Sequence, residues 1–391
     1  MKTGSHAAQA VYLDYNATAP MRPEALRATY EALQTVGNAS SVHDQGRDAA
    51  GRVERARQQV ADLLNCSRGE LIFTSGATEA NNLALHASYA SKGGIITSAV
   101  EHPAVLEAAR ALTAEAPNSL AILPVDSEGK IDYGAFRAEV EQRGVALVSI
   151  MLANNETGVV TDLAPIAEVA HSVGALVHTD ATQYVGRLPL DLRDLDVDLL
   201  SLSAHKFGGP QGVGALYIRR GTPLPQRPLV FGGGHERGWR AGTLNVPGIA
   251  GLGAAAEAVH RELDAEASRI GKLRDLLEGA VLAQLPGSYV NGVGSTRLPG
   301  VSSVTFPGCP ADALLASMPD IAVSDGSACS AGAPTPSHVL LAMGLGREAA
   351  DSTLRFSLGY ATTELEIRKA IDATVRAVTH VQAVMDLPDH P

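Results

Sequence analysis

The stretch "ELIFTSGATEANNLALHASYA", residues 70–90, decides the fold. A short apolar run of strand character ends in a Ser-Gly turn. Helical spacing of Ala and Leu follows directly. One strand-turn-helix unit settles little, but this one recurs. "GGIITSAV" (93–100) is followed by the helical "HPAVLEAARALTAEA", and "LAILPV" (120–125) by "YGAFRAEVEQ". "VALVSIMLA" (145–153) precedes the helical "LAPIAEVAHSVG", and "ALVHTD", "VDLLSLSA" and "GVGALYI" add three more strands. Apolar strands alternating with amphipathic helices predict a mostly parallel, seven-stranded-type sheet covered on both faces, an α/β fold.

Beyond this region a long helical stretch covers about 245–282. Strands "GVSSVTF", "IAVSD" and "STLRFSLG" then alternate with helices, the last near 363–386. That pattern predicts a smaller α+β domain. Residues 21–260 are expected to form the large domain. Residues 1–20 and 261–391 are expected to form the small one, carrying a mobile loop at 324–336.

The chain has 391 residues, enough for a large core. Its formal net charge of −11 argues against nucleic acid or an anionic membrane as the main partner. Three cysteines, Cys66, Cys309 and Cys329, are not a disulfide framework, so the expected setting is the reducing cytoplasm. "MKTGSHAAQA" lacks the apolar core of a signal peptide, and "VPGIAGLGAAAEAV" is too short and too rich in Gly and Ala to span a bilayer. No metal site is expected.

Ligands of open α/β sheets bind beyond the carboxyl ends of the strands, so the residues there matter most. Gly76, Ala77 and Thr78 open a helix whose free N–H groups favour a phosphate. Asp180 ends one strand, with Gln183 one turn later; the plain alternative is a helix cap. Lys206, in "SLSAHKFGGPQGVG", follows a strand and precedes a glycine-rich loop, a setting in which an amine loses its proton and forms an imine. Ser203 and His205 flank it with phosphate-binding capacity. His102 and Asn155 follow two other strands, and Arg355 lies in an otherwise apolar one. A guanidinium there fits either a substrate carboxylate or an internal salt bridge.

Together these parts describe a pyridoxal phosphate site. Lys206 serves the imine and Asp180 the pyridine nitrogen. Gln183 serves the phenolic oxygen, and Ala77, Thr78, Ser203 and His205 the phosphate. His102 stacks on the ring and moves protons. Arg355, Asn155 and Asn16 take the substrate. Cys329 sits among small residues in "SDGSACSAG" (324–332), where nothing apolar buries it. A thiolate between the glycines 326 and 332 is suited to attack a substrate sulfur and carry it outward. A spare surface cysteine is the plain alternative, and Cys66 and Cys309 are read that way.

With these residues in place, the chain resembles the cysteine desulfurases of the class V aminotransferase family, in their NifS/IscS branch. The resemblance runs in order through "YLDYNATAP", "FTSGATEANNLA", "TSAVEHPAVL", "NNETGVV", "HTDATQYVGRLPLD", "SAHKFGGPQGVGALY", "GGGHERGWRAGT", "GSACSAG" and "LRFSLG". It implies a fold-type I homodimer with pyridoxal phosphate that converts L-cysteine to L-alanine and leaves a persulfide on Cys329. The sulfur then passes to an acceptor protein, such as an iron–sulfur scaffold with which Cys329 shares a cluster, or a thiolation partner. It also implies that Thr243, in "RAGT", reaches the phosphate of the other subunit. Two departures stand out. Asp325 occupies a place where the family usually has Ser or Thr, and a carboxylate there raises the thiol pKa by roughly a unit. The chain also ends at "VQAVMDLPDHP", short of the segment with which housekeeping members dock a scaffold. The "RxGHHC"-like context of the other branch is absent, which disfavours a selenocysteine lyase. Other class V chemistry, an aminotransferase or a cysteine β-lyase, is the alternative enzyme; a degenerate scaffold subunit is the alternative without chemistry.

Overall fold

The computed structural model describes residues 10–89, 93–326 and 336–385. Strand β1 (Val11–Tyr12) and helices α1 (Pro23–Leu33) and α2 (Asp44–Leu64) open the chain. The alternation then follows as read: β2 (Leu71–Thr74), α3 (Ala77–Tyr89), β3 (Gly94–Ser98), α4 (Pro103–Leu112), β4 (Leu120–Leu123) and α5 (Tyr133–Gln142). After these come β5 (Val145–Ser149), α6 (Ala164–Ser172), β6 (Leu176–Asp180), β7 (Leu199–Ser203) and β8 (Gly214–Ile218).

Strands β2 to β8 form one seven-stranded sheet in the order β2-β8-β7-β6-β5-β3-β4. β8 pairs antiparallel with both neighbours, and the pairs from β7 across to β4 are parallel. Strands buried on both faces need apolar residues at every position. Ile72, Leu147, Leu199 and Leu216 point to one core, and Phe73, Val148, Leu200 and Ala215 to the other. That is why these strands read as largely apolar runs.

Helix α7 (Val246–Gln284) runs unbroken for 39 residues. Its first half, from Val246 to Val259, packs into the core under the large sheet. Its second half, from Ile270 to Val281, packs into a separate core. The expected boundary at 260/261 therefore falls inside one helix. The elements that follow are β9 (Tyr289–Val290), β10 (Val301–Thr305), α8 (Ala311–Ser317), β11 (Ile321–Ala322), α9 (His338–Ala342), α10 (Arg347–Asp351), β12 (Thr353–Ser357) and α11 (Glu364–Met385), and all but α9 and α10 join that second core. Of these, α9 and α10 pack on a small satellite cluster with Val100 and Met151, at the ends of the large sheet. β1 pairs with β11, and Val11 and Leu13 join this second core, while the residues just after them cross to the large sheet.

Candidate active site

A cavity of about 490 Å³ lies beyond the carboxyl ends of the parallel strands. Its walls include Asn16, Ala77, Thr78, His102, Asn155, Asp180, Gln183, Ser203, His205, Lys206 and Arg355. Eleven of the thirteen expected residues thus meet in one place. Thr243 is exposed and stands outside these walls. Cys329 lies outside the described residues, as does Gly332.

Each residue arrives by a local rule. Asp180 is the last residue of β6, and there its carboxylate takes two donors: Asn81 Nδ2 at 2.7 Å and the Thr182 amide at 2.9 Å. Such bonds hold a carboxylate fixed in orientation. Two residues earlier on the same face, His178 bridges Ser149 and Ser201 of the flanking strands, at 2.8 and 3.0 Å. Burial lowers its pKa to about 4, so it is neutral, and it ties the three central strands beneath the site.

His102 is the N-cap of α4, and its Nδ1 accepts the Ala104 amide at 3.1 Å. An accepting Nδ1 places the proton on Nε2. Burial lowers the His102 pKa, with Asp180 opposing and Lys206 and His338 adding to the shift. The imidazole that faces the cavity is thus the neutral form.

At the start of α3, a Cβ built on Gly76 would face Ser203 Oγ at 3.6 Å. The turn is open on the side where Ala77, Thr78 and Ser203 line the cavity. A helix N-terminus with a hydroxyl beside it is an anion cradle. Its back is closed by Gly214, where a side chain would lie 2.4 Å from the Leu202 carbonyl and 2.7 Å from Gly76 Cα. His205, whose Nδ1 meets Thr18 Oγ1 at 3.2 Å, has its pKa lowered to about 4, first by burial and then by Lys206.

Lys206 Nζ donates to the carbonyls of Asn16 at 2.5 Å and Ala17 at 2.9 Å. The Asn16 carbonyl also accepts Gln183 Nε2 at 3.0 Å. Asn16 Nδ2 donates to the Asn155 carbonyl at 2.8 Å, and that carbonyl takes Arg355 Nη1 at 3.0 Å. Arg355 Nη2 reaches Asp14 at 2.7 Å, so the internal salt bridge that the sequence left open is present. Yet Arg355 Nε, Asn155 Oδ1 and Gln183 Oε1 are buried with no partner. Unpaired buried polar atoms are costly. Here Asn155, Gln183 and Arg355 all line the same cavity, which fits a polar ligand.

Some groups escaped the sequence reading. Glu101 is fully buried beside His102, taking Ser98 Oγ at 2.7 Å and the Met151 amide at 2.9 Å. Burial pushes its carboxyl up to about 8. Glu156, buried in "NNETG", accepts from Ser337 Oγ and lies against Gly326, where a Cβ would sit 3.0 Å from its Oε2. Burial raises Glu156 to about 7, with Asp325 adding to the rise. Ser324 pairs with Arg355 through both backbone bonds, at 2.7 and 3.2 Å. The segment leading to Cys329 is therefore stitched to the strand that carries Arg355. An acid next to His102 and another beside Asn155 were the available signals. Among the described residues no group of three or more His, Cys, Asp or Glu is placed to hold a metal ion, and no helix is long and apolar enough to cross a membrane.

The family model for class V aminotransferases matches residues 11–369. The chain belongs to the cysteine desulfurases of that family. It is 45% identical over 381 residues to a cysteine desulfurase of Cereibacter sphaeroides, covering 96% of this chain and 97% of the relative. Among solved structures it resembles a NifS-like protein, with TM-score 0.86 and 35% identity over 95% of this chain and all of that one. It also resembles SspA in complex with cysteine, with TM-score 0.77 and 32% identity, covering 89% of this chain and 98% of that one. The mostly parallel α/β fold expected from the sequence is the family's fold.

Proposed function

We propose that this desulfurase converts L-cysteine to L-alanine on pyridoxal phosphate and collects the sulfur on Cys329. The observation that carries the reading is convergence: Lys206, Asp180, His102, Gln183 and the Gly76–Thr78 turn reach one cavity from separate strand ends. Lys206 would hold the aldehyde carbon, Asp180 the ring nitrogen and Gln183 the phenolic oxygen. Ala77, Thr78, Ser203 and His205 would hold the phosphate. When bound, the cofactor supplies an electron sink for bonds at the substrate Cα.

The chain's own residues do the rest. Arg355, fixed by Asp14 and the Asn155 carbonyl, offers its charge and unpartnered Nε to the substrate carboxylate. Asn155 Oδ1 stands ready for the substrate ammonium. Lys206 Nζ takes the Cα proton, and the Asn16 and Ala17 carbonyls orient it. His102, neutral and protonated on Nε2, donates within the cavity. The Cys329 thiolate then attacks the substrate sulfur: the S–S bond forms, the Cβ–S bond breaks, and the carbon keeps the electron pair and gains a proton. Alanine leaves and the persulfide remains. The Cys329→Ala protein should keep the visible band of bound cofactor and lose alanine formation. Undiminished alanine release would favour a β-lyase or aminotransferase and sink the nucleophile assignment.

The working unit of this reading is a homodimer in the cytoplasm, with Thr243 serving the partner's phosphate. Leu26, Tyr30 and Leu33 form an exposed apolar stripe on α1, and Val36, Val42 and Phe231 are exposed as well. Such surface favours burial against a second copy; a monomeric mass by light scattering would refute it. Residues 21–260 and the remainder act as the two lobes of each subunit. The persulfide passes to an acceptor protein, an iron–sulfur scaffold or a thiolation partner. Labelled sulfur that stays on the enzyme in the presence of both would refute that step.

A further inference from the structure

Arg187 has no part in the reading above, yet it closes the network beneath Lys206. Its Nη1 donates to Asn16 Oδ1, and its Nη2 to the Tyr15 carbonyl at 3.3 Å. It lines a small cavity on the far side of Lys206, together with Tyr15, Arg22 and Glu266. No carboxylate among the described residues pairs with it. Glu266 is taken by Arg22 at 2.6 Å, and Asp14 by Arg355 at 2.7 Å. Burial, and then the charge of Arg355, lowers the Arg187 pKa to about 9.

The geometry matters because Asn16 is fully committed. Its amide donates to Ser357 Oγ at 2.9 Å, its Nδ2 to the Asn155 carbonyl, and its carbonyl receives Gln183 and Lys206. The two ends of an asparagine amide have nearly the same shape. Only its neighbours decide which end faces which way. Arginine has donors and no acceptor, so Arg187 accepts only the Oδ1 end. Nδ2 is thereby turned to the Asn155 carbonyl, the same carbonyl that orients Arg355.

We infer that Arg187 is a positioning residue: acting through Asn16, it fixes the carbonyls that hold Lys206 Nζ and the peptide that aims Arg355, and it sets a cation close to the lysine. The inference rests on the proposed cofactor site. The two fail differently: wild-type protein without a visible cofactor band, or without alanine from cysteine, sinks the site reading before any variant is made.

The test compares wild type with Arg187→Gln and Arg187→Lys, each as the cofactor-loaded protein with L-cysteine. The charged groups facing Arg187 are Lys206 and Arg355 with Asp14, and across the small cavity Arg22 with Glu266; the variants leave all of them in place. For Arg187→Gln we expect a retained visible band whose pH midpoint rises by roughly one unit, since a cation near the amine is gone. We expect kcat to fall on the order of 10²-fold, the scale of a misplaced catalytic group. KM for cysteine rises as well, because Arg355 loses its aim. Arg187→Lys keeps the charge without the planar fork, so the pH midpoint should return to the wild-type value while kcat recovers only in part. A Gln variant with the wild-type midpoint and kcat within twofold would overturn the inference. So would loss of the cofactor from both variants, which would make Arg187 a support of the fold rather than of the lysine.

Discussion

Replacing Glu101 by Gln tests the central electrostatic claim about the floor of the site. The carboxyl is fully buried, and its Oε2 has no partner. Burial pushes its pKa up to about 8 from the ordinary glutamate value near 4.5, with the charge of Asp180 adding to the rise. Unfolded, the group loses its proton near the lower value; folded, near the upper one. Between them the native chain binds a proton that the unfolded chain has released, so stability falls as pH rises and levels off above about pH 8. Each pH unit in that window is worth about 1.4 kcal/mol, so the whole window is worth about 5 kcal/mol. Glutamine keeps an acceptor for Ser98 and the Met151 amide but carries no proton to lose. The assay is urea unfolding of wild type and Glu101→Gln, both cofactor-loaded, at several pH values from 5 to 9. The variant's advantage should grow by about 1.4 kcal/mol per unit up to about pH 8 and then stay constant. Glu156 contributes a similar slope, but it is present in both proteins and cancels in the difference. A difference that does not change with pH, or that shrinks as pH rises, would refute a neutral buried Glu101.

Two further predictions concern the scaffold. Glu236 holds Arg57 at 2.7 and 2.8 Å and takes the Phe73 amide at 2.8 Å, and the Arg57 guanidinium lies over the Phe73 ring at 4.4 Å. Glu236→Gln should cost about 3 kcal/mol in urea unfolding, because it takes the buried anion from Arg57 and leaves only the half-exposed Glu54 at 3.0 Å; a cost below about 1 kcal/mol would mean that the pair is dispensable. Gly214→Ala pushes a methyl against the backbone of Leu202 and Gly76, neither of which has room to yield. It should cost about 2–3 kcal/mol and deform the turn that cradles the phosphate. After dialysis it should retain a smaller share of the cofactor band than wild type, and equal retention would count against the cradle.

The seven strands of the large sheet were legible because a mostly parallel sheet, covered on both faces, demands largely apolar runs such as "VALVS" and "LLSLS". The strand-end rule then gathered Lys206, Asp180, His102 and Ser203 into one site. What escaped has a common physical character. Arg187 and Glu101 act through groups distant in sequence: Asn16 lies 171 residues from Arg187, and Met151 lies 50 from Glu101. Local pattern carries no trace of such partners. Arg355 could be read two ways because its neighbours in sequence are apolar under either reading. The choice depended on Asp14, which is 341 residues away. Asn81 was hidden differently, as one amide of a pair in an Ala- and Leu-rich helix; only the sheet packed against it shows which of the pair faces Asp180.

The unbroken course of α7 has a mechanical consequence. The segment between its two buried halves, His260 to Arg269, supplies no fully buried apolar residue to either core. It is held instead by Arg22, which grips Glu262 at 3.0 Å and Glu266 at 2.6 Å. A helix resists stretching and twisting far more than gentle bending. The long helix therefore works as an axle with one bearing. The lobes keep their spacing, and any relative swing is a flexure of this one polar stretch, with Arg22 as its brake. Arg22 Nε also donates to the carbonyl of Phe207 at 3.3 Å, next to Lys206 in the chain, so such a swing would be felt first beside the lysine.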